Sequence, residues 1–178
     1  MFKHEKVLWI TRTAVLIALT VALQALTLQF GNQFVTGSIV NFMLIISVMT
    51  CGFTTGLTVS FFTPILPTLL GFGPVWPIIP FIILGNTALV TVWHLVGNRK
   101  IVNKYVTYII TVLTGATAKF LVLYFGVVQI AIPYILGLPE GNIMSVLFSY
   151  PQLITASIGG ICAVIILPAL QKALKNRE

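Results

Sequence analysis

Long apolar runs, broken by short polar or glycine- and proline-rich segments, set the pattern of this chain, with none of the ten-residue alternation of a membrane β-barrel strand. The runs predict an all-α integral membrane protein with six spans, at residues 7–28, 37–50, 54–70, 78–96, 105–127 and 151–170, in one transmembrane domain over residues 1–178. Phe34–Leu70 is uncharged over 37 residues, which at about 1.5 Å per helical residue is nearly twice a ~30 Å hydrocarbon core. A turn at Thr50–Thr55 (TCGFTT) divides it, and Gly52, Gly56 and Ser60 then form a small-residue face at the start of the third span.

The sharpest break lies within Ser60–Asn86. Pro64, Pro67, Pro74, Pro77 and Pro80 cannot share one regular helix, because each lacks an N–H and crowds the preceding turn. Irregular backbone at membrane depth is tolerated where protein buries it or where it lines a polar cavity. Gly71–Pro77 is therefore expected to be a non-helical reentry at one face, beside a small-molecule site. Residues 29–36, 71–77 and 128–150 read as external loops; the last is broken by Pro133, Gly137, Pro139 and Gly141 and could lie over a site as a lid.

Charge orients the spans. Nine of the ten Lys and Arg residues fall in three clusters: Lys3, Lys6 and Arg12; Arg99, Lys100 and Lys104; Lys172, Lys175 and Arg177. The positive-inside rule places all three clusters, and both termini, in the cytoplasm. Only 7% of the residues are charged against 58% hydrophobic, and the mean hydropathy is +1.06; a soluble domain carries roughly 25% charged residues. The net charge of +7 is spread beside apolar spans with no basic face, so nucleic acid is not an expected partner. The first apolar run is longer than a signal-peptide core and lacks a clear A-x-A site, so it is read as a retained span.

Catalytic chemistry is not expected. The acids are Glu5, Glu140 and Glu178, which form no carboxylate pair, and no nucleophile triad or phosphate-cradling loop is present. Cys51 and Cys162 read as small buried hydrophobes, and His94 as an interfacial side chain; no metal site, redox motif or cofactor is implied. Glu140 reads as a solvated loop charge. Lys119 is the one charge placed within the membrane: it either snorkels to the outer interface or faces inward and binds an anionic or carbonyl group of a ligand. The outer half also holds Gln29, Asn32, Gln33, Trp76, Tyr124, Gln129, Asn142, Tyr150 and Gln152, with Asn41 and Asn86 inside apolar spans where an amide is costly without a partner. Such groups suit a neutral or amphiphilic small molecule. Six spans are few for a self-sufficient alternating-access transporter, so energy is expected from another protein.

The chain resembles the substrate-binding S component of an energy-coupling-factor (ECF) vitamin transporter. The resemblance rests on its length, its six spans, the Ala14-xxx-Ala18-xxx-Ala22 face of the first helix, VTGSIVN (Val35–Asn41), TPILPTLLGFGP (Thr63–Pro74) and PIIPFIILGN (Pro77–Asn86). It implies a multi-pass protein of a prokaryotic plasma membrane that pairs with a membrane coupling (T) subunit and two ATPase subunits. Ala14, Ala18 and Ala22 would dock the coupling subunit, and Asn32, Gln33, Asn41, Trp76, Asn86, Lys119 and Tyr124 become candidate ligand contacts under loops after the first, third and fifth spans. Within the family the last three motifs are most similar to one subgroup, and that resemblance points to a cobalamin-like corrinoid, with a pantothenate- or queuosine-precursor-type ligand as the alternative. The competing class is a free-standing homo-oligomeric carrier or scaffold that self-associates through Gly52 and Gly56.

Overall fold

In a computed structural model the chain is helical throughout, with no strand among the described residues, which are 2–99, 103–139 and 141–175; side chains are described from Glu5 to Ala173 within those ranges. Lys100, Glu140, Arg177 and Glu178 lie outside them. Helix α1 covers Phe2–Leu28, α2 Gln33–Cys51 and α3 Phe53–Leu69. A 3₁₀ turn, Trp76–Ile78, leads into α4, Ile79–Gly97. Helix α5, Lys104–Leu123, continues as a π-helix over Tyr124–Ile135, and the short α6, Ile143–Leu147, precedes α7, Tyr150–Lys175. Five helical segments are long and apolar enough to cross a membrane; α3, at 17 residues, is shorter.

The ends of these helices follow from local chemistry. Asn32 accepts the N–H of Phe34 and so starts α2 at Gln33, earlier than the expected loop 29–36 allowed. Gly52, at φ 92°, makes the whole turn between α2 and α3 within the expected Thr50–Thr55. Inside the helices, hydroxyls that would otherwise lack a partner in an apolar medium bond back to their own backbone, as Thr20 does to the Leu16 carbonyl and Thr111 to the Thr107 carbonyl. Each helix thereby enters the bundle with few loose polar groups.

Packing places the turns at two ends. The start of α1, the α2–α3 turn, the end of α4, the start of α5 and the end of α7 share one end: Thr13 lies 3.3 Å from Thr55, and Lys104 donates to Gln171. Helices α2 and α7 touch closely, since a Cβ on Gly159 would stand 2.7 Å from the Ser38 carbonyl oxygen and 2.8 Å from the Asn41 Cβ. The main core gathers Leu44, Val48, Val59, Leu89, Trp93 and Val112. A smaller one joins Ile78 and Leu123 to Val127, Ala131 and Ile132 of the π-helix.

Three expectations are corrected. Residues 128–150 are not one loop: the chain stays helical to Ile135 because Val127, Ala131 and Ile132 are buried, and it stops where Gly137 turns at φ 62°. Of the expected Gly52/Gly56 face, Gly52 is exposed but Gly56 is not free for self-association, because it is buried against Val48 and Val90, each 2.8 Å from where its Cβ would be. Cys162 is exposed on α7 and Cys51 half-buried, so neither is a core residue. His94 stacks on Phe53 with ring centres 4.7 Å apart.

Candidate functional site

At the end opposite the basic clusters of α1, α4, α5 and α7, the helices part around a cavity of about 450 Å³. Its rim is built from three links. The first is the α1–α2 turn, where Gly31 takes φ 60° and Asn32 caps α2. The second is the α3–α4 link: Pro64 and Pro67 withhold N–H groups near the end of α3, and the chain folds back so that Phe72 and Gly73 both donate to the Pro67 carbonyl. Thr68 fastens this fold by donating to the carbonyls of Pro64 and Pro74, at 3.0 and 2.8 Å. A Cβ on Gly73 would come within 2.3 Å of the Thr68 nitrogen, so only glycine fits there. The third is α6 and its flank, whose Met144, Leu147 and Phe148 face the cavity.

The inner end of the cavity is polar. Lys119, on the buried α5 stripe that includes Thr107, Thr111 and Gly115, is only 4% exposed. Its ammonium donates to Asn41 Oδ1 at 2.6 Å and to Asn86 Oδ1 at 2.7 Å. Asn41 in turn donates through Nδ2 to Thr155 Oγ1 at 3.3 Å. One side chain thus ties α5 to α2 and α4, and through Asn41 to α7. Lys119 therefore faces the interior and does not snorkel to the interface. The side-chain oxygen of each amide inside the apolar spans has a partner.

Of the expected contacts, Asn32, Gln33, Asn41, Asn86 and Lys119 line this one cavity. Trp76 and Tyr124 do not. Trp76 opens the 3₁₀ turn and is 55% exposed, while Tyr124 stacks on Phe120 and accepts a hydrogen bond from Gln129. Gln24, Thr36, Thr63 and Gln152 also line the cavity and were not among the expected contacts. A signal for Gln24 was present: Thr13, Thr20, Gln24 and Thr27 are spaced to share one face of α1, and all four are buried. Ala14, Ala18 and Ala22 fall on the other side of the helix and are exposed.

No group of three or more His, Cys, Asp or Glu residues that could hold a metal occurs among the described residues. The chain matches no protein-family description, no curated protein and no solved structure. The chemistry is therefore read from the site alone. It offers one cation, several carboxamides and a mostly apolar wall, which is a binding site's equipment.

Proposed function

We propose that this membrane protein is the substrate-binding subunit of an ECF-type importer. In this reading it crosses the membrane six times, α3 being the short span, with both termini in the cytoplasm and the cavity open to the outside. It captures a vitamin or related micronutrient and delivers it through a membrane coupling subunit driven by two ATPase subunits.

The observation that carries the reading is the cavity: a buried lysine and two buried amides at its inner end, and a rim made by the links after α1, α3 and α5. Its placement opposite the basic clusters fits an external mouth under the positive-inside rule. The exposed Ala14, Ala18 and Ala22 leave a smooth face on α1 for a partner helix. A volume of about 450 Å³ lies in the lower part of the ~300–1,000 Å³ range of small-molecule sites. That favours a pantothenate- or queuosine-precursor-sized ligand over a corrinoid.

The test is native mass spectrometry of the protein gently extracted from its own host. The expected result is a complex with one coupling subunit and two ATPases, or a retained vitamin-sized mass. Ala14→Trp and Ala18→Trp are expected to abolish the complex while the small molecule is kept. A ligand-free homo-oligomer, or tryptophan variants that assemble and transport normally, would overturn the assignment.

A further inference from the structure

Lys119 has three N–H groups to place. Two go to the side-chain oxygens of Asn41 and Asn86, both uncharged, and the third has no partner among the described residues although the lysine lines the cavity. An ammonium withdrawn from water is favoured over the neutral amine by an opposite charge beside it, because neutral dipoles compensate only part of what hydration supplied. Among the described residues the one acid is Glu5, in the exposed first turn of α1, at the end of the bundle away from the cavity. Asn86 has turned its oxygen to the lysine, so its N–H₂ group is left as a second donor, with no partner among the described residues. Two adjacent donors, one of them cationic, face one cavity.

We propose that the molecule bound here carries a single carboxylate, with the Lys119 ammonium as its counter-ion and the Asn86 amide as a second donor; this rests on the binding role proposed above. The charge is single because Lys119 is the one cation lining the cavity among the described residues. A phosphate would ask for more positive charge or an arginine fork, and a lysine is a point charge. The rest of the molecule is largely apolar, to match Val40, Ile82 and Leu123, with neutral polar groups within reach of Gln24 and Gln33.

The experiment takes wild type, Lys119→Gln and Glu140→Gln from the native host into lipid nanodiscs, releases bound small molecules by denaturation, and weighs them before and after methyl esterification. Wild type and Glu140→Gln are expected to release the same compound, which gains one methyl ester. Lys119→Gln is expected to release none, its affinity lowered about a hundredfold or more. Because the esterification is read on wild type, it stands even if Lys119→Gln folds poorly. A compound that does not esterify, equal retention by Lys119→Gln, or loss from Glu140→Gln alike would overturn the carboxylate assignment and leave the binding role standing. If wild type releases nothing, titration with nicotinate, biotin and pantothenate against nicotinamide, biotinamide and pantothenol decides: preference for an acid supports the proposal, and indifference or preference for a neutral partner overturns it. No binding by any of the six would overturn the binding role and the proposal together.

Discussion

Two levels of the same bundle, two helical turns apart, are built in opposite ways. At one level Asn41 of α2, Asn86 of α4 and Lys119 of α5 meet; at the other the same faces carry Val48, Trp93 and Val112. All six are buried. The apolar level is filled: Trp93 is fully buried, and a Cβ added at Gly115 would stand 3.2 Å from its indole nitrogen. The polar level adjoins a cavity, because each donor and acceptor there must be matched in direction as well as in volume. Dispersion contacts among well-fitted side chains hold the first level, and a hydrogen-bond network defines the second. What keeps the helices together and what carries the polar chemistry thus lie at separate depths of the bundle.

The largest effect should come from emptying the filled level. Trp93→Ala is expected to cost about 3–5 kcal/mol through the cavity it leaves, read as a lower unfolding midpoint in detergent titration, with the cavity at the other level losing its binding only through loss of fold. At the polar level, Lys119→Met strands two buried amide oxygens, at about 1–3 kcal/mol each. The triple variant Lys119→Met, Asn41→Leu, Asn86→Leu removes those acceptors too. Its unfolding midpoint should recover toward or above wild type while small-molecule retention is lost, because a buried charged cluster replaced by apolar groups of similar volume is often neutral or stabilising. A triple variant less stable than the single one would show that the network holds the bundle together.

Smaller changes sharpen the boundary. Gly159→Ala should cost about 1–3 kcal/mol by overpacking the α2–α7 contact; it should also weaken ligand retention, since the added methyl presses on Asn41. Thr13→Val removes one side-chain bond between α1 and α3 and should cost about 0.6 kcal/mol, near the mean for such bonds in membrane proteins. Trp93→Phe should be close to neutral beyond the volume it removes, because the indole N–H is buried without a partner among the described residues.

The turn at Gly52 was legible in the sequence because an uncharged stretch too long for one span must fold back, and TCGFTT holds its glycine. The α3–α4 break was legible because proline withholds a donor wherever it sits. The direction of Lys119 was not. A lysine near the end of a span reaches either an interface or an interior, and only the arrival of Asn41 and Asn86 from sequence-distant helices decides between them. Asn86 and Asn41 were individually suspect as amides in apolar runs, but their meeting is tertiary information. The helix through Tyr124–Ile135 was hidden by Pro133 and Gly137, whose local effect is opposed by the burial of Val127, Ala131 and Ile132 against Ile78 and Leu123.

The rim of the cavity is uneven. On one side Thr68 clamps the α3–α4 fold through two carbonyls and the prolines fix its dihedrals. On the other, α6 is five residues long and none of them is buried. On the binding role proposed above the consequence is kinetic: a ligand is expected to pass on the α6 side, where the rim is least buried. Loosening α6 would then raise the association and dissociation rates together, while the ratio between them would stay with the contacts at the inner end, where Lys119 sits.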